Sequence, residues 1–156
     1  MTKRLVPERA KRLVKNWEGC KLRAYKDDAG VWTIGYGWTL GVRPGMVWTQ
    51  KQADENFEMH IQELCDQITP LLRPDTTDDQ LSSFLSFAWN VGFSGFRKSD
   101  ARAAHNTYKP EGVLKSFMSW TTITKPDGTR VRNYPGLVRR RTADWKMYSR
   151  GEVTSP

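Results

Sequence analysis

At Thr49 the residue pattern of this chain changes period, and that change limits the folds open to it. From Ala24 to Val47, β-formers (Tyr25, Val31, Trp32, Thr33, Ile34, Tyr36, Val42, Val47) are broken every few residues by Asp27-Asp28-Ala29-Gly30, Gly35, Gly37, Gly41 and Pro44-Gly45. Such spacing reads as a small, strongly turned antiparallel sheet. A sheet of that size has too little apolar surface to stand alone and must lean on helices. After Thr49 apolar residues recur at helical intervals. Thr49 and Gln52 form a capping box before Ala53, Phe57, Ile61, Leu64 and Ile68, a run ended by Pro70. Thr77 and Gln80 form a second box before Leu81, Phe84, Leu85 and Ala88, a buried central helix expected to stop at Gly92.

Ahead of the sheet, Pro7 and Glu8 suit a first helical turn. Ala10, Leu13, Val14 and Trp17 follow at helical spacing, with Gly19 as the stop. Shorter helices are expected over about 99–108, 110–120 and 137–148, and Lys125-Pro126-Asp127-Gly128 marks a turn that would project a small hairpin. The expected architecture is α+β in one domain, 1–156, with a β lobe at about 20–48 and a helical lobe made of 1–19 and 49–156. No repeat or low-complexity linker divides it.

Glu18, Asp27 and Thr33 sit where that architecture would put a cleft: at the end of the first helix, in the hairpin turn, and on the returning strand. Glycoside hydrolysis needs one carboxyl group to protonate the leaving oxygen and another to activate water or attack. Glu18 suits the acid, because the partial negative charge of a helix C-terminus disfavours ionisation there. Asp27, in a polar turn, suits the base, although Asp28 competes with it on residue type alone. Thr33 could hold a water through its hydroxyl. Asn90 could bind an N-acetyl group or cap its helix, and Tyr36 could line a saccharide site or pack the sheet. His60 and His105 have no partner at metal or triad spacing, which favours solvated or structural roles.

A net charge of +8 implies an anionic partner, yet zinc spacings, basic-zipper patterns and aromatic-basic strand signatures are all missing, so nucleic acid is not expected. Each of the seven Trp reads first as a core filler, and their excess also suits a cleft that stacks sugar rings. Cys20 and Cys65 match no metal or disulfide framework and read as free thiols. No apolar stretch reads as a signal peptide or a stable membrane insertion, so a substrate outside the cytoplasm would require help with release.

The stretch Trp17-Glu18-Gly19, Tyr25-Lys26-Asp27 and Gly30-Val31-Trp32-Thr33-Ile34-Gly35-Tyr36-Gly37 resembles the bacteriophage-type lysozymes, or endolysins. Their motif is Glu, eight residues, Asp, five residues, Thr. Phe87-Ala88-Trp89-Asn90-Val91-Gly92 and Pro135-Gly136-Leu137-Val138-Arg139-Arg140-Arg141 resemble the family's central-helix ending and last-helix start. The resemblance spans nearly the whole chain and implies a lysozyme-like α+β fold with the active-site cleft between the lobes. It also implies muramidase activity on the β-1,4 bond between N-acetylmuramic acid and N-acetylglucosamine of peptidoglycan, without a cofactor or metal. Glu18 would be the general acid, Asp27 the base or electrostatic partner, and Thr33 the residue that orients water, in an inverting reaction. Tyr36 and Asn90 would contact substrate. A monomer accumulating in the host cytoplasm would await a phage pore-forming protein before reaching the wall in the periplasm. Two rivals are a lytic transglycosylase on the same bond and a catalytically weakened wall-binding module. One of Arg139, Arg140 and Arg141 would face the cleft, and the sequence leaves open which. Trp38 stands where the family usually has His after Gly-Tyr-Gly, which predicts altered packing and pH behaviour rather than lost activity.

Overall fold

The computed structural model describes residues 3–156, so Met1 and Thr2, assigned by sequence to the helical lobe, lie outside the described residues. Helix α1 (Glu8–Glu18) follows extended Pro7, buries Ala10, Leu13 and Val14, and ends where Gly19 turns left-handed at φ 64°. Strand β1 (Lys21–Lys26) pairs antiparallel with β2 (Trp32–Gly35), with Tyr25 opposite Thr33 and Lys26 opposite Trp32. Single bridges join Arg23 to Val47 and Ile34 to Trp38. The sheet is therefore two strands with trimmings. Its Ile34 is fully buried, and Tyr36 beyond β2 meets the edge of Phe57 at 5.3 Å between ring centres.

That Phe57 belongs to α2 (Gln50–Ile68), whose capping box forms in full: Thr49 N–H donates to Gln52 Oε1 at 2.8 Å, and Gln52 N–H to Thr49 Oγ1 at 3.1 Å. Helix α3 (Asp78–Lys98) opens with the matching Thr77/Gln80 box. Each cap contributes on the order of 1 kcal/mol to its helix. A short 3-10 turn at Thr69–Leu71, absent from the sequence expectation, carries the chain between them around Pro70.

Every residue from Leu81 to Ala88 is buried, so α3 is wrapped on all sides. Gly92, at φ 86° and ψ 159°, breaks the helical path as expected, but helix resumes from Phe93 to Lys98. The remaining elements are α4 (Asp100–Asn106), α5 (Pro110–Ser119), the hairpin β3 (Ile123–Thr124) and β4 (Arg130–Val131), and α6 (Pro135–Arg150). Phe84 anchors the helical core, meeting Phe96, His105, Phe117 and Tyr148 edge-on. Full burial of one such ring stabilises by roughly 1.5–3 kcal/mol. After α6 the tail returns along α1, where Trp17 Nε1 donates to Thr154 Oγ1 and Asn16 Nδ2 to the Thr154 carbonyl. Cys20 is half-buried, Cys65 is buried, and both are free thiols.

Candidate active site

Between the sheet and the helices lies a cleft of about 970 Å³. Glu18, Asp27, Thr33 and Asn90 all line it, together with Trp89, Asp28 and Tyr134. Each side chain is delivered by local chemistry. Glu18 closes α1, and Gly19 turns the chain sharply enough to leave its carboxyl in the cleft wall. Oε1 accepts from Arg140 Nη1 at 2.9 Å, in an ion pair whose side chains are 17% and 6% exposed. Oε2 rests against Gly37. A Cβ there would overlap that oxygen and stand 2.7 Å from Glu18 Cδ, so glycine is what gives the carboxyl its room.

Asp27 folds its turn around one oxygen: Oδ1 accepts from the backbone N–H of Ala29 at 2.9 Å and of Val31 at 2.8 Å. Asp28, its competitor by residue type, accepts from the hydroxyl of Tyr134, which leads into α6. Pro126, at the tip of the β3–β4 hairpin, lies against Gly30 in the same turn. Thr33 is almost wholly buried, and its hydroxyl donates to the Val31 carbonyl at 2.9 Å. Its proton is thereby committed, and its lone pairs remain to accept.

Tyr36 is placed differently from the sequence expectation of a substrate contact. Its hydroxyl donates to Asp54 Oδ1 at 2.8 Å and accepts from Gln50 Nε2 at 3.2 Å, both on α2 and away from the cleft lining. Burial, then the Asp54 partner, push this phenol up to about 12. Only the Tyr36 carbonyl faces the site's scaffold, accepting from Trp89 Nε1 at 2.9 Å.

Among the three arginines, Arg139 is exposed, Arg140 reaches Glu18, and Arg141 is fully buried with Nη2 donating to Asn90 Oδ1. Sequence reading missed Asp144, fully buried behind them, and Ser86, whose hydroxyl donates to Asp144 Oδ1 at 2.6 Å. The available signal was an aspartate with arginines three and four residues before it on one helix. Trp38 stacks on His60 with 4.0 Å between ring centres and 17° between planes, and His60 Nδ1 lies 2.9 Å from Glu63. The position thus gains an aromatic stack. His105 is buried between Thr76 and Tyr148 in a structural role. Among the described residues no group of three metal-ligating side chains forms.

A family model described as phage lysozyme matches residues 15–144, the stretch that supplies Glu18, Asp27, Thr33, Asn90 and Arg140. The chain is 31% identical to an endolysin of Acyrthosiphon pisum secondary endosymbiont phage 1, over 92% of this chain and 97% of that one. It is 32% identical to an endolysin of Bacillus phage PZA, covering 89% of this chain but 53% of the longer relative. Among solved structures, the endolysin from Escherichia coli O157:H7 phage FAHEc1 superposes with a TM-score of 0.83 at 25% identity, over 99% of this chain and 98% of that one. Cleft, motif and relatives agree, and the chain belongs to the phage lysozyme family of peptidoglycan-degrading glycoside hydrolases.

Proposed function

We propose that Glu18, Asp27 and Thr33 together hydrolyse the β-1,4 bond between N-acetylmuramic acid and N-acetylglucosamine, with inversion at the anomeric carbon, to lyse the host cell. The observation that carries this reading is their convergence on one cleft with different anchoring. Glu18 is held through Oε1 by Arg140, which leaves Oε2, the oxygen beside Gly37, to bear the proton for the leaving group. Asp27 is fixed through Oδ1 by its own turn, leaving Oδ2 to take a proton from water. The committed Thr33 hydroxyl accepts the water's other hydrogen, so the water's lone pair is aimed rather than free. Asn90, steadied by Arg141, contributes an amide to the substrate wall.

Asp27 as a base for water favours the hydrolase over a transglycosylase, which needs no water. The chain acts as one lysozyme-like domain and as a monomer, needs no cofactor, and depends on a phage pore-forming protein to pass from the host cytoplasm to the periplasm. These last points rest on the family resemblance and on a basic surface suited to an anionic wall. Among the described residues no helix is long and apolar enough to cross a membrane.

Clearing of chloroform-treated Gram-negative cells tests the assignment. Glu18→Gln is expected to lose clearing while keeping its fold and wall binding, and a fully active variant overturns it. Mass spectrometry of the released muropeptides is expected to find reducing ends. Anhydro ends would overturn the hydrolase reading.

A further inference from the structure

Helix α6 buries three charged side chains, Arg140, Arg141 and Asp144, and only Asp144 has no contact with a residue lining the cleft. Desolvating an ion costs several kcal/mol, and a buried ion group is often no more stable than apolar residues of similar volume. Stability alone therefore gives weak grounds for the arrangement. Geometry gives stronger ones. Asp144 lies between two guanidiniums that each extend to a different cleft residue, Arg140 to Glu18 and Arg141 to Asn90.

On the Arg140 side the link is a bridge. Ser86 Oγ donates to Asp144 Oδ1 at 2.6 Å and accepts from Arg140 Nε at 3.4 Å, while Arg140 Nη2 also reaches the Ser86 carbonyl at 3.3 Å. On the Arg141 side, Asp144 Oδ2 and Arg141 Nη1 face each other at 3.6 Å without a hydrogen bond, so the coupling there is charge acting across a gap.

We propose that Asp144 is a positioning residue for the reaction: its buried carboxylate fixes where Arg140 holds Glu18, and its charge offsets the guanidiniums so that Glu18 can carry the proton it delivers. This rests on Glu18 being the acid. The charge count makes the second half concrete. With Glu18 ionised, Glu18, Asp144, Arg140 and Arg141 sum to zero, and with Glu18 protonated they sum to +1. Remove the Asp144 charge and protonating Glu18 would leave two uncompensated guanidiniums in a dry site. The other groups facing this cluster are Tyr25 on β1, Asp27 in its turn, and the hydroxyls of Ser83 and Ser86 on α3. Burial pushes the Asp144 carboxyl up, Arg141, Arg140 and the Ser86 hydroxyl draw it down, and Glu18 adds the smallest upward push.

The test is a pH–rate profile of wall clearing for the wild type, Asp144→Asn and Asp144→Glu, with folding checked by circular dichroism and thermal melting. In Asp144→Asn the alkaline limb, where the acid loses its proton, is expected to move down by about one pH unit, as loss of a like charge several ångströms away in a partly buried site implies. Asp144→Glu is expected to restore most of that shift. A purely structural role would lower the rate without moving the limb, so a folded Asp144→Asn protein whose limb overlays the wild type overturns the inference.

Should Asp144→Asn fail to fold, Ser86→Ala keeps every charge and removes the bridge. A roughly tenfold loss in kcat at constant KM is expected there, the size of a small misplacement of the acid, and a wild-type kcat overturns the positioning half. Glu18→Gln assayed alongside separates the two readings. If it is inactive while the Asp144→Asn limb stays put, only the present inference fails; if it is active, the site assignment itself fails.

Discussion

His105 gives this fold a pH dependence that can be worked out from its surroundings. The ring is fully buried against Phe84, with Nε2 2.8 Å from Thr76 Oγ1 and Nδ1 2.7 Å from the Tyr148 hydroxyl. Thr76 already donates its proton to the Arg73 carbonyl at 2.6 Å, so Nε2 must be the donor to Thr76 and Nδ1 the acceptor from Tyr148. Charging the ring would add a proton at Nδ1 that Tyr148 points its own proton at. Burial, then the Arg73 guanidinium, accordingly lower this histidine from 6.5 to about 4. A depressed histidine stabilises the fold fully above its unfolded value and loses that contribution as pH falls through the folded one. Linkage converts the gap into about 3 kcal/mol in all, of which about 2 kcal/mol disappears between pH 7 and 5.

The assay is urea unfolding at pH 7 and pH 5 for the wild type and His105→Gln. The wild-type midpoint is expected to fall by about 1 M on acidification, given an m-value typical of a small protein. The variant starts less stable because Gln cannot span Thr76 and Tyr148, and it should change much less between the two pH values. Carboxylates held low by partners, such as Asp54 and Asp66, act around and below their ordinary value of 3.8, outside this window. Equal losses in both proteins, or a His105 ring resonance titrating above pH 6, would refute the reasoning.

Gly37→Ala would set a Cβ into the Glu18 carboxyl at a residue whose φ is 79°. Clearing activity should drop on the order of a hundredfold from the displaced acid, with a stability loss of about 1 kcal/mol measured by denaturation. Trp38→His exchanges the stack on His60 for a second imidazole. Lysis assays should find the enzyme active, and thermal unfolding should find it less stable by about 1 kcal/mol. A large gain in rate would mean that the position governs catalysis and not only packing.

What could be read from sequence was what sequence neighbours decide. Both capping boxes, the Lys125–Gly128 turn and the break at Gly92 depend on partners within a few residues, and all four stand in the structure. The grouping of Glu18, Asp27 and Thr33 in one cleft follows from a single helix-turn-hairpin unit. The 3-10 turn at Thr69–Leu71 and the helix after Gly92 carry no comparable local signal. Tyr36 faces α2 because Asp54 and Gln50 attract its hydroxyl, a contact decided by how α2 docks. Likewise, which arginine meets Glu18 depends on the rotation of α6 about its axis, and that is set by Met147, Tyr148 and Ala143 packing into the core. The charge spacing around Asp144 is readable in sequence, but which cleft residues its two arginines reach is decided by that rotation.

The ion pair between Glu18 and Arg140 joins residues 122 apart in the chain, and Trp17 meets Thr154 across 137. These are among the longest-range contacts of the described residues, and they converge on the short helix that carries the proposed acid. Closing such loops comes late in folding, because their entropy must be overcome before the contact rewards it. Until α6 docks, the sheet and central helix have no need of Arg140, and Glu18 lacks its partner. The proposed acid is thus completed by a residue 122 positions away, so its placement reports on the docking of α6 and not on α1 alone.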